Sequence, residues 1–400
     1  MDVDARRPSP RATATAADVR ERWRMGSEAR GMVLVSAVLT AFGLAVLYSA
    51  SAFVAIQEHG SSTYFLVHQL AGVAAGIVAF AIAAKIDAGL LQRSAWPIMW
   101  FTIAAMAAVL VLPGSIAPTI HGSKRFLFGA SFQPSEFAKL AVVVWVSMLV
   151  VKKGDALRRF SKGLVPFLVV IGVLDLLAAL EPDVSIAMLF TLLMALILFV
   201  GGARMGHFIA LGAMCLPLGF AKIEKLAYVL NRMTAFMHPG AAPQAVSYQL
   251  QQSLIAVGSG GLTGRGFGEG MQQTHFVPFP YSDFIGSNVG EEWGFVGIAG
   301  ITIAFGLYAL LGFRIARQAR TPFLQLVAVG LTFTTVLTAF LHIGVVIGLL
   351  PTTGLTLPFV SYGRSNLVLT MLFTGILVNI GSSRERVIGS AATDPLAVTA

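Results

Sequence analysis

The sequence predicts an all-α, polytopic integral membrane protein with about ten transmembrane helices, and three observations predict it. The 400 residues are 56% hydrophobic and 12% charged, with a mean hydropathy of +0.78. Soluble domains carry roughly a quarter charged residues. Apolar runs of about 20 residues, the length that crosses a hydrocarbon layer, recur along the chain. The cations between those runs fall on alternating sides.

Each element follows in order. Residues 1–30 hold seven arginines and no apolar run, a composition that buries no core and reads as a disordered basic cytoplasmic tail. The run 31–55 contains "ASA" at 50–52, which resembles a cleavage site. Its apolar stretch exceeds the roughly 7–15 residues of a signal peptide, so it reads as an uncleaved first span. Further runs lie near 64–84, 94–112, 134–152, 163–180, 184–202, 204–221, 288–313, 322–350 and 361–381. The N-terminal tail and every second connection carry 20 of the 28 Lys and Arg; the other connections carry six. Positive residues stay cytoplasmic, so both termini lie inside and the loop 222–287, between the seventh and eighth spans, lies outside. The membrane domain is 31–385, followed by a cytoplasmic tail, 386–400. The net charge of +9 is a topology signal, and without a soluble basic face it excludes a nucleic-acid partner. The only cysteine, Cys215, sits in an apolar run, so there is no disulfide framework.

The outer loop is too long for a simple connector. Within it, "PQAVSYQLQQSLIAV" (243–257) spaces Val246, Leu250, Leu254 and Val257 as one face of a helix lying on the outer membrane surface. The following "GGLTGRGFGEG" (260–270) is neither a Rossmann nor a P-loop turn, since no strand precedes it and no Gly-Lys-Ser/Thr follows. It is either a mobile or close-packed loop near a substrate or a set of plain loop glycines, with equal weight.

Ionisable residues in or beside spans mark function. In "QPSEFAKLA", Glu136 and Lys139 share a helical face. They form either a self-neutralising pair or the lining of a polar cavity, with Lys139 available to an anion; the second is favoured because apolar packing replaces a structural pair at little cost. Lys124 and Arg125 in "HGSKRFLFG" add cations suited to a pyrophosphate. Asp175 has no local partner, and Glu181 and Asp183 flank Pro182 in an outer turn. "PFPYSDFIGSN" (278–288) places Asp283 before a run that opens with Glu291 and Glu292. His121, His238 and His275 make no metal box, and no Gly-x-Ser-x-Gly elbow occurs. Such a set serves either a transporter's ion relay or group transfer on a polyisoprenyl-pyrophosphate lipid.

Six segments in order then resemble the shape, elongation, division and sporulation (SEDS) family over residues 31–385. They are "LYSAS" (47–51), "GSKRFLFGASFQPSEFAKLA" (122–141), "EPDVSIA" (181–187), "YQLQQSLIAVGSGGLTGRGFGEG" (248–270), "SDFIGSNVGEEWGFVG" (282–297) and "LPTTGLTLPFVSYGRSN" (350–366). The resemblance is closer to the FtsW branch than to the RodA branch. It implies an inverting peptidoglycan glycosyltransferase of the bacterial cytoplasmic membrane. Such an enzyme polymerises lipid II during division, beside a class B penicillin-binding protein (FtsI-like) and other divisome membrane proteins. The family's catalytic aspartate falls on Asp283, and its Arg, Glu and Lys on Arg125, Glu136 and Lys139. Lys124 and Arg364 join them as substrate-binding candidates, and a divalent cation, magnesium or manganese, is left open. The sequence departs from the family where Pro278–Asp283 replaces Pro-Glu-x-His-Thr-Asp and where Arg364, Ser365 and Asn366 replace Gly-Ser-Ser. The rival readings are an elongation-type polymerase, a flippase of the same lipid and a scaffold with Asp283 idle.

Overall fold

The structure, a computed structural model, describes residues 19–120, 123–129, 131–204, 206, 208, 227–237, 244–272 and 279–388. In chain order the elements are β1 (Val19–Met25), α1 (Ser27–His59), α2 (Tyr64–Ala83), α3 (Ala88–Arg93), α4 (Ala95–Val111), β2 (Thr119–Ile120) and β3 (Ser123–Lys124). Then come α5 (Pro134–Lys153), α6 (Val165–Leu180), α7 (Val184–Val200), α8 (Ala227–Met237), α9 (Gln244–Gly260), α10 (Ile285–Arg317), α11 (Pro322–Val346), α12 (Arg364–Ile380) and β4 (Ser382–Ile388). The protein is mostly helical. Five helices, α1, α2, α5, α10 and α11, are long and apolar enough to cross a membrane, and α4, α6, α7 and α12 are shorter apolar helices. These match nine of the ten expected runs. The seventh run, 204–221, lies almost wholly outside the described residues, as do Cys215, His121, His238 and His275.

Local chemistry sets the helix ends. Thr321 accepts from Leu324 N at 3.3 Å ahead of Pro322 at the first turn of α11, and Asp183 accepts from Ile186 N at 3.3 Å at the head of α7. Helix α5 is the hub. Its residues from Ala138 to Val150 are buried all round, Trp145 completely, as expected of a helix apolar on every face inside a larger bundle. Helix α2 packs on α12 and α1 on α10, with most of the apolar surface of α2 facing outward.

The two ends of the described chain meet. Strand β1, within the stretch expected as a tail, pairs antiparallel with β4 in a register that sets Glu21 opposite Arg386 and Arg22 opposite Glu385. Gly26 N donates to Gly381 O at 3.2 Å beside them.

Helix α10 is broken at Gly294 (φ 63°, ψ −155°). The break orphans the carbonyls of Glu291 and Glu292 and the amides of Phe295 and Val296. The glycine-rich segment takes up all four. Arg265 N and Gly266 N donate to Glu291 O (3.0 Å) and Glu292 O (3.1 Å), while Phe295 N and Val296 N donate to Gly261 O (2.9 Å) and Leu262 O (3.1 Å). Broken helices survive at membrane depth when other backbone re-satisfies the freed groups in this way. Gly264 has φ 82°, and a Cβ there would overlap the Glu292 carbonyl. The segment is close-packed against a broken helix.

Helix α9 forms where expected, with its face turned. Its buried side is Ser247, Leu250, Ser253, Ala256 and Gly260, while Leu254 and Ile255 are exposed. The reason is close approach: a Cβ on Gly260 would overlap the Gly290 carbonyl of α10. Small residues therefore share the buried side with Leu250, while Leu254 turns outward.

Candidate active site

At one end of the bundle the turn 181–183, the segment 279–284 and the loop 351–363 converge. Asp283 stands two residues before α10, in a segment bonded on several sides. Ser361 Oγ donates to Ser282 O (2.8 Å) and accepts from Leu357 N (2.8 Å). Tyr362 N donates to Tyr281 O at 2.9 Å, and Asn288 Nδ2 to Pro280 O at 2.7 Å. His342, buried in α11, donates from Nδ1 to Leu355 O (2.8 Å) and accepts from Gly286 N at Nε2 (3.3 Å). This pattern assigns the neutral Nδ1–H tautomer. It ties the first turn of α10 to the loop opposite.

Asp283 itself is half-buried. Burial pushes its carboxyl up to about 6, against the pull of Arg232 and then Arg125 and with a further push from Asp183. Both cations are held. Arg232 of α8 donates from Nη1 to Thr352 O at 2.8 Å. Arg125 spans the turn: Nε to Glu181 O (3.1 Å), Nη2 to Pro182 O (2.6 Å), and Nη1 3.4 Å from the Asp183 carboxylate. Burial raises Asp183 as well, and Arg125 opposes it. Glu181 has no exposed surface, and neither carboxyl oxygen has a partner among the described residues. Burial, aided by the charge of Asp183 and opposed by Arg125, pushes it up to about 8.

The other candidates sit as follows. Lys139 and Glu136 form a buried pair, with Nζ donating to both carboxylate oxygens at 2.7 and 2.8 Å. Their charges reach Asp183, so they border the same polar patch while largely neutralising each other. Lys124 donates to Leu112 O at 2.7 Å. Arg364, at the head of α12, donates to Ser131 Oγ at 3.3 Å and packs over Gly72 of α2. The charges that act most strongly on Asp283 are Arg232, Arg125 and Asp183, not these two. Glu291 is fully buried and accepts from Met271 N (2.9 Å) and Gln272 N (3.1 Å), with Arg265 at 3.8 Å; Glu292 accepts from Ser49 Oγ. Glu291 thus holds the end of the glycine-rich segment, and Glu292 ties α10 to α1. Asp175 accepts from Thr191 Oγ1 at 2.7 Å, joining α6 to α7.

Sequence reasoning missed Arg232, counted only as a loop cation, and His342. Neither stands in a recognisable spacing, and both gain their position from long-range packing. Among the described residues no three His, Cys, Asp or Glu gather to hold a metal ion, and no step below passes through one.

A family comparison decides the affiliation. The FtsW, RodA and SpoVE model, described as cell cycle protein, matches residues 29–386. The chain belongs to this family. The probable peptidoglycan glycosyltransferase FtsW of Geobacter sulfurreducens is 35% identical over 353 residues, covering 88% of this chain and 94% of that relative. Stage V sporulation protein E of Bacillus subtilis is 33% identical over 351 residues, covering 87% and 95%. Among solved structures, a chain of a peptidoglycan synthase complex coordinating polymerization and crosslinking superposes with a TM-score of 0.73 at 24% identity, covering 88% of this chain and 97% of that one. The rod shape determining protein RodA of Thermus thermophilus superposes with a TM-score of 0.62 at 23% identity, covering 88% and 95%. The family fold is therefore that of this bundle.

Proposed function

We propose that this chain polymerises lipid II at the outer face of the bacterial cytoplasmic membrane, with Asp283 as general base. It is a peptidoglycan glycosyltransferase of cell division, as its FtsW relatives are named. The observation that carries the catalytic assignment is a carboxyl on a hydrogen-bonded segment beside two anchored arginines, pushed up to about 6 by burial.

A base of that pKa is mostly ionised at neutral pH yet still basic enough to accept a proton, the balance general-base catalysis needs. Asp283 takes the proton of the acceptor sugar's 4-hydroxyl as its oxygen attacks the donor's anomeric carbon. The bond to pyrophosphate breaks with inversion, and the leaving group carries away the electron pair. Arg125 and Arg232, the cations that act on Asp283, offset the charge that develops on the leaving group. Lys139, with its charge shared by Glu136, serves as a buried neighbour of this patch and contributes to holding the anion.

In this reading ten spans cross the membrane, with both termini inside. The strand pair β1–β4 supports the shared side of the ends, and the cation partition supports which side it is. A class B penicillin-binding protein is the partner, supported by the synthase complex to which one structural relative belongs.

The test is polymerisation of purified lipid II by the reconstituted protein with its cognate penicillin-binding protein. Asp283→Asn keeps the shape and removes the basicity, and a general base contributes roughly 10²–10⁴ in rate. The variant should make no detectable glycan while inserting and binding its partner normally. Normal chain synthesis by Asp283→Asn would sink the catalytic assignment. Lipid II crossing a liposome bilayer without polymer would instead favour a flippase.

A further inference from the structure

The same end of the bundle carries a group of rings that the reaction above does not use. His59 closes α1 and Tyr64 opens α2, and their rings stack with centroids 3.6 Å apart and 19° between planes. Tyr64 also meets His68 at 4.3 Å. One layer inward, Phe65 stacks on Tyr281 at 4.4 Å and meets Tyr362 edge-on at 5.1 Å, and Tyr281 meets Tyr362 at 5.8 Å. Tyr281 stands two residues before Asp283. The rings therefore form a continuous shelf from the α1–α2 turn to the candidate base. Phe65 is buried beneath it, whereas Tyr64, His68, Tyr281 and Tyr362 are half-exposed and His59 is exposed.

A carboxylate lies at the edge of this shelf. Glu58 Oε2 is 3.8 Å from His59 Nε2, with 56% of the Glu58 side chain exposed, and its charge adds to the burial that pushes the Tyr281 hydroxyl up to about 12. An aromatic belt at the headgroup level would account for single tyrosines facing lipid. It does not account for rings that stack on one another and on the segment carrying Asp283, nor for a carboxylate beside them. A pyranose has the complementary chemistry: an apolar face of axial C–H groups that stacks on aromatic faces, and a rim of hydroxyl and amide groups that needs hydrogen-bond partners.

We propose that the shelf of His59, Tyr64, Tyr281 and Tyr362, edged by Glu58, is a carbohydrate subsite that holds β-linked sugars of the glycan strand beside Asp283. The subsite rests on the glycosyltransferase reading and specifies where that enzyme grips its polymer. The rings take the sugar faces, and Glu58 accepts hydrogen bonds from hydroxyl or acetamido groups.

The test separates the subsite from that reading by measuring binding as well as synthesis. Full-length protein in detergent is titrated calorimetrically with β-1,4-linked tetra-N-acetylglucosamine, and glycan lengths made from lipid II are compared on gels. Tyr64→Ala and Glu58→Gln should each weaken binding of the tetrasaccharide by about five- to tenfold and shorten the glycans. Tyr64→Phe, which keeps the ring, should retain both. Thermal unfolding checks that Tyr64→Ala is folded; if it is not, Glu58→Gln, at an exposed side chain, decides. Wild-type affinity in the Glu58→Gln variant and in folded Tyr64→Ala overturns the subsite, as does a wild type that binds no tetrasaccharide. A wild type that binds the tetrasaccharide in a Tyr64-dependent way but makes no polymer supports the subsite and refutes the enzyme reading.

Discussion

Replacing Glu181 by glutamine should stabilise the protein, and by an amount that grows with pH. Glu181 is fully buried with neither oxygen bonded, and its carboxyl is pushed from the ordinary 4.5 up to about 8. A carboxyl whose folded value lies above its unfolded one opposes folding once the unfolded chain ionises. The penalty is absent below pH 4.5, grows between 4.5 and 8, and is constant above. At pH 7 the unfolded carboxyl has ionised over 2.5 pH units while the folded one remains an acid. At 1.36 kcal/mol per unit the penalty is about 3 kcal/mol. Glutamine has the same shape and does not titrate, so the penalty disappears. Thermal unfolding of wild type and Glu181→Gln in detergent at pH 5, 7 and 8.5 reads the effect directly. The variant's advantage should be small at pH 5 and largest at 8.5. A difference independent of pH, or a wild type that gains on the variant as pH rises, would refute the reasoning. The neutral state also matters to the site: an uncharged Glu181 leaves the guanidinium of Arg125 to act on Asp183 and Asp283.

Three other outcomes follow from the same geometry. Arg232→Ala removes the strongest charge holding the Asp283 carboxyl down, so the acid limb of the pH–rate profile should move above about 6 and activity at neutral pH should fall; an unmoved limb would show that Arg232 is not coupled to the base. Lys139→Ala leaves Glu136 charged and alone in the interior, at a cost of about 3–5 kcal/mol, whereas the double variant Glu136→Leu, Lys139→Met should recover thermal stability while losing polymerisation, and a double variant that polymerises normally would reduce the pair to packing. Gly264→Ala brings a Cβ into the Glu292 carbonyl at a positive φ, so its folded yield and unfolding temperature should drop clearly, and an unchanged unfolding temperature would contradict the clamp across the α10 break.

What could be read from the sequence was whatever depends on local composition. Nine of the ten apolar runs reappear as helices within a few residues of their expected ends, because span length and helix-end chemistry at positions such as Thr321, Pro322 and Asp183 are local matters. Asp283 stood out as a candidate, since an ionisable residue beside a span is costly unless it has a task. The face of α9 was not. Side-chain size pointed to Leu254, whereas the approach of Gly260 to Gly290 turned the small residues inward, and contact with another backbone leaves no periodic trace.

By itself, then, the sequence determined that the chain is a many-helix membrane protein of a recognisable family, because hydropathy, cation placement and ordered motifs each act within short stretches. Only the tertiary structure decided which charges work together. It brought Arg232 from α8 and Arg125 from beside β3 to one carboxylate, turned Glu136 and Lys139 toward each other, and gave Glu291 to the backbone amides of Met271 and Gln272. It also closed the glycine-rich segment onto the broken α10. The physical reason is range. Helix propensity and hydropathy sum over neighbours along the chain, whereas pairing and desolvation depend on which groups the packed bundle sets within a few ångströms of one another.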